Sequence, residues 1–128
     1  SLKLKEVSYI HSESYAAGEL KHGTISLIDE DVPVIAVATQ TGIIPKTISN
    51  VVEVKSRGAK VILVCTDACA RELKDGVADY VIEIPHTDEL LMPITAVVPL
   101  QILAYYTSIN RGIDPDKPKN LAKSVTVE

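Results

Sequence analysis

Two apolar runs, VPVIAVAT at 32–39 and AKVILVCT at 59–66, restrict the fold of this chain more than anything else in it. Neither alternates with polar residues and both are rich in β-branched side chains, so each is expected to be a strand buried on both faces. Between them Ile44, Ile48, Val51, Val52 and Val54 recur at helical spacing as far as Arg57, and Gly58 is a natural stop. Strand, amphipathic helix, strand is the order of a parallel crossover. DYVIEIP, 79–85, reads as a third strand ended by Pro85, with a short helix or loop at 67–78 before it. A long apolar helix is expected from about Asp88 to Asn110, interrupted by Pro93 and Pro99 and capped by Gly112. The predicted class is α/β, a parallel sheet covered by helices, in one domain.

Ahead of the first strand, residues 2–15 read as a helix. Leu4, Val7, Ile10, His11 and Tyr15 gather on one arc, with Lys5, Tyr9 and Ser12 facing away. GELKHG follows, then a short helical stretch, TISLID.

Composition supports the class. Hydrophobic residues make up 46% of 128, yet there is no Trp and no Phe, so the core must be aliphatic. The net charge of −4 argues against nucleic acid or an anionic membrane as partner. No apolar run approaches the roughly 20 residues of a bilayer span, and charges interrupt the opening SLKLKEVSYI, unlike a signal peptide. Cys65 and Cys69 lie four apart without a second pair or a nearby histidine. Zinc sites want four ligands and redox pairs want two intervening residues, so these read as ordinary thiols.

Three constellations could carry chemistry. Lys3 falls in the apolar arc with Glu6 on its border, either a surface ion pair or a carboxylate base beside a cation. In GELKHG, glycines bracket Glu19, Lys21 and His22, either a plain loop histidine or a proton carrier near neutral pH. In the tail NLAKSVTVE, Lys123 is a single amine among apolar residues, either on a frayed end or in a dehydrated setting that favours free amine and imine chemistry. His11 and Glu13 form an H-x-E whose helical spacing points them apart, so no metal site is expected. TQTG, 39–42, is a weaker candidate for a polar ligand contact, because open parallel sheets bind ligands at the carboxyl ends of strands.

Taken together, KLKEVSYIHSESYAAGELKHG, PLQILAYY and NLAKSVTVE resemble the carboxyl-terminal part of the isomerase half in the glucosamine-6-phosphate synthase family, the isomerising glutamine:fructose-6-phosphate aminotransferases. The resemblance runs from end to end and is least diagnostic over 39–90. It implies a three-layer αβα sandwich of sugar-isomerase (SIS) type. Residues 1–112 would be the second such module, lacking its first strand, and 113–128 an active-site tail. It also implies conversion of fructose 6-phosphate and glutamine-derived ammonia to glucosamine 6-phosphate, without cofactor or metal, in a cytoplasmic homodimer. Lys123 matches the family's Schiff-base lysine, Glu6 the carboxylate that shuttles a proton between C1 and C2, and Lys3 the cation beside the reacting oxygens. His22 matches the ring-opening histidine, which the family supplies across the dimer interface.

The family's glutaminase domain and first sugar-isomerase module, whose Ser/Thr-rich loop holds the phosphate, have no counterpart in these residues. The chain is therefore expected to be a fragment with negligible turnover by itself. Two other functions compete: a phosphosugar-binding SIS module without turnover, and a structural dimerisation unit. Neither accounts for Glu6 together with a lysine-bearing apolar tail.

Overall fold

The computed structural model describes residues 1–119. It divides into two compact units, one comprising Ser1–Ser14 with the chain from Val98 onward, the other Tyr15–Val97.

The larger unit is built on the predicted crossover. Strands β1 (Pro33–Ala38), β2 (Lys60–Thr66) and β3 (Tyr80–Ile84) form a parallel sheet in that order. Pairing sets Val34, Ala36 and Ala38 beside Val61, Leu63 and Cys65. Because side chains alternate along a strand, these six share one face. Helix α2 (Ile44–Ser56) contributes Val51 and Val54 to the same core cluster. Gly58 ends the α2 connection at φ 96°, and an added Cβ would lie 2.9 Å from the Glu30 Cα. Glycine is thus required twice over, for its left-handed backbone and for the close approach. Thr66 closes β2 and caps α3 (Asp67–Glu72), its hydroxyl accepting the Cys69 N–H.

The central strand meets the expectation of burial on both faces, since Val61, Leu63, Val64 and Cys65 are all at 0% exposure. The edge strand does not: Ile35 and Val37 are 37% and 40% exposed. An apolar run has the same appearance in a central and an edge strand, and pairing order alone separates them.

The smaller unit contains α1 (Leu2–Ser8) and the part of α4 (Met92–Asn110) that follows Val97. The expected helix 2–15 is too long. Tyr9 adopts a left-handed conformation, φ 56°, and its N–H donates to the Lys5 carbonyl, closing the helix. The next residues fold back, so that the Ser1 hydroxyl donates to the Ser12 carbonyl at 2.7 Å. His11 and Tyr15 therefore lie outside any helical arc. The side chain of His11 is 84% exposed, and its Nε2 stands 3.6 Å from a Glu13 oxygen rather than pointing away.

The far end of α4 closes as expected on Gly112, φ 69°. The Ile113 N–H returns to the Ser108 carbonyl and the Gly112 N–H to that of Ile109, at 3.0 and 2.9 Å. Helix α4 is 19 residues long, carries no charged side chain, and is apolar enough to cross a membrane by length and composition alone. That corrects the expectation that no run comes near such a length; internal Pro, Thr and Gln disguised it. Core helices pass the same test.

Candidate active site

Helix α1 presents the first constellation. At i,i+3 spacing Lys3 Nζ and a Glu6 oxygen meet at 2.8 Å, with side chains 66% and 20% exposed. Lys3 is therefore open to water, and the carboxylate is the more enclosed partner. A cavity of about 240 Å³ adjoins Lys3, which lines it together with Val7, Gln101, Ala104, Tyr105 and Pro115. The helix is held at its carboxyl end: Ser108, fully buried, directs its hydroxyl between the carbonyls of Val7 (2.7 Å) and Ile113 (3.0 Å). Ser8, also fully buried, bonds back to the Leu4 carbonyl at 2.6 Å.

His22 belongs to the larger unit. It is the last residue of a 3-10 helix, Ala17–His22, and is exposed. The following Gly23, at φ 129°, opens a second 3-10 turn, Thr24–Leu27. GELKHG is thus helical rather than an open loop. It is fastened to α2 by Lys21 and Glu53 at 2.8 Å. The Lys21 ammonium, with Arg57 adding to it, holds the Glu53 carboxyl below its ordinary range. The structure brings Lys3 and Glu6 together, while His22 lies in the other unit. Lys123 lies outside the described residues.

At the carboxyl end of β1, TQTG borders a cavity of about 360 Å³ whose lining includes Thr39, Gln40, Thr47, Glu89 and Met92. Glu89 accepts the Thr41 N–H at 3.1 Å, so a carboxylate already occupies the amino end of the short 3-10 turn before α2. At the end of β2 and in α3, both thiols, Cys65 and Cys69, are buried and free. Burial first, and Cys69 second, push the Cys65 thiol up to about 12. No group of three or more His, Cys, Asp and Glu side chains able to hold a metal ion occurs among the described residues.

Sequence reasoning missed the contacts that support α1. The Tyr9 phenol oxygen accepts the N–H of Lys119, 110 positions away, and Ser108 reaches Val7 across 101. The only local signal was the adjacent pair of hydroxyl residues, Thr107 and Ser108, near the end of a helix without charged side chains.

A family model described as SIS domain matches residues 1–111. The isomerising glutamine–fructose-6-phosphate aminotransferase of Clostridium perfringens is 57% identical over 128 residues, and that of Thermococcus kodakarensis 52%. Both alignments cover 100% of this chain, which spans 21% of each relative's length. Among solved structures, the C-terminal domain of glucosamine-fructose-6-phosphate aminotransferase from Francisella tularensis aligns with a TM-score of 0.83 at 40% identity. That alignment covers 88% of this chain and 31% of the other. Glucosamine-6-phosphate deaminase from Thermotoga maritima aligns at 0.71 and 30% identity, over 98% and 35%.

Proposed function

Because the chain belongs to the SIS domain family, we propose that it is the carboxyl-terminal part of an isomerase that makes glucosamine 6-phosphate from fructose 6-phosphate and glutamine-derived ammonia. In this reading residues 1–112 are the second sugar-isomerase module and 113–128 its active-site tail. The observation that carries it is 57% identity across the whole chain to a protein named for that reaction.

Each residue takes one role. His22 moves the proton that opens the sugar ring, and is supplied to the neighbouring subunit of a homodimer. The Lys123 amine adds to the open-chain C2 ketone and, with loss of water, forms the imine; ammonia then adds at C2 and expels the lysine amine, leaving the ammonia nitrogen on C2 as the new imine. The Glu6 carboxylate carries a proton from C1 to C2. Lys3, 2.8 Å from that carboxylate, supplies positive charge where the enediol-like oxygens become negative. The i,i+3 pair supports this, because it keeps a base and a cation side by side on one rigid helix.

The glutaminase and the phosphate-holding module belong to the remainder of a longer cytoplasmic protein. Binding energy from the sugar phosphate supports the chemical step, so this chain alone should show negligible turnover. Borohydride trapping with fructose 6-phosphate in the full-length protein, followed by peptide mapping, tests the central claim. The expected label is on Lys123; a label on any other lysine overturns it.

A further inference from the structure

The cavity at the carboxyl end of β1 has no part in the chemistry proposed above, and its lining lies wholly within the larger unit. At about 360 Å³ it is large enough for a small molecule. One residue of its wall is unusual. Thr47, in the first turn of α2, is only 8% exposed, yet its hydroxyl forms no hydrogen bond among the described residues. A sealed polar group without a partner is costly, and none occurs among the described side chains. The Thr47 oxygen must therefore reach open space, and the space it borders is this cavity.

We propose that this cavity binds a phosphate-free amino sugar, in a site that shares no residue with the one carrying Glu6. Thr39 and Gln40 add a second hydroxyl and an amide, whose side chains likewise have no partner among the described residues. Hydroxyl and amide groups both donate and accept, which matches the hydroxyls of a sugar. Val37 and Met92 offer apolar surface to the C–H face of its ring. Glu89 sets the charge. One of its oxygens accepts the Thr41 N–H, and among the described residues no cation pairs with the other. That oxygen favours an ammonium through a charge-assisted hydrogen bond, and it repels a phosphate. The position also fits the general rule that open parallel sheets bind ligands beyond the carboxyl ends of their strands.

Glucosamine, glucose and glucose 6-phosphate, titrated into the full 128-residue chain with backbone amide shifts as readout, test this. Glucosamine should saturate with a Kd on the order of 1–10 mM, as suits so small a ligand, with shifts centred on 39–47 and Glu89. Glucose should bind about tenfold more weakly, and glucose 6-phosphate more weakly still. Thr47→Val keeps the shape and removes the hydroxyl. Its affinity for glucosamine should fall about fivefold, the loss of one ordinary hydrogen bond, while its urea midpoint stays at or above the parent's. Glu89→Gln keeps an acceptor for the Thr41 N–H. It should weaken glucosamine about tenfold and leave glucose within about twofold. Unchanged affinity in Thr47→Val, or shifts centred elsewhere, overturns the site. Glucose 6-phosphate binding as tightly as glucosamine overturns the ligand class. A lowered midpoint in Thr47→Val overturns the premise that its hydroxyl is unpaired. None of these results depends on Lys123, so the proposed function stands or falls separately.

Discussion

Asp79 holds Lys55 with both carboxylate oxygens, each 2.6 Å from Nζ, and takes the Val61 N–H at 2.7 Å. One side chain at the mouth of β3 thereby grips the last turn of α2 and the start of β2. The Lys55 hydrogen bond first, and the Val61 N–H second, hold the Asp79 carboxyl below its ordinary range. A carboxyl lowered on folding stabilises the protein above its unfolded pKa, about 3.9, and that contribution fades as pH falls through the folded value. Asp79→Asn should therefore lower the urea midpoint at pH 6, and the gap from the parent should close as pH is taken from about 4 toward 2. A gap that stayed constant over that range would show the ion pair to be irrelevant to stability.

Gly58→Ala should destabilise the larger unit by about 2 kcal/mol, from left-handed strain together with crowding of the backbone. The crowded atom is Glu30 Cα, 2.9 Å from the new methyl, and backbone has little room to give. Equilibrium urea unfolding measures this directly. A loss under about 0.5 kcal/mol, the scale of a neutral surface change, would contradict the close packing.

Ser108→Ala should cost about 1–3 kcal/mol, because the carbonyls of Val7 and Ile113 lose a buried donor. Thermal unfolding reads the loss, and amide exchange should show it concentrated in α1 and the turn after α4.

With its thiol pushed up to about 12, Cys65 should be close to inert. At pH 8 only about one molecule in ten thousand would carry the thiolate, which is the form that reacts. Iodoacetamide should label it only under denaturing conditions, as followed by peptide mass spectrometry. Rapid labelling of the native chain would show that the strand end is open to solvent.

Glu6→Gln keeps the size of the side chain and removes the base. In a full-length aminotransferase, hydrogen exchange at C1 of the bound sugar should drop by about 10²–10⁴, the usual weight of a general base. Sugar binding should change little, and retained exchange would exclude Glu6 as the proton carrier.

Much of the fold could be read from local pattern. The runs at 32–39 and 59–66 became paired parallel strands, and the helix before Gly58 ended where the glycine required. The i,i+3 spacing of Lys3 and Glu6 foretold their contact. The end of α1 could not be read, since tyrosine in a left-handed turn has no signature in composition or periodicity. That single residue undid the expected arc of Ile10, His11 and Tyr15. Lys123 remains a matter for chemistry, as it lies outside the described residues.

By itself the sequence determined the element types and their order, because helical and strand periodicities are set within a few residues of chain. Only the tertiary structure decided which strand is central, which hydroxyl supports α1, and that Tyr9 receives Lys119. The last two outcomes join groups about a hundred positions apart, and hydrogen-bond partners at that range are chosen by packing in space.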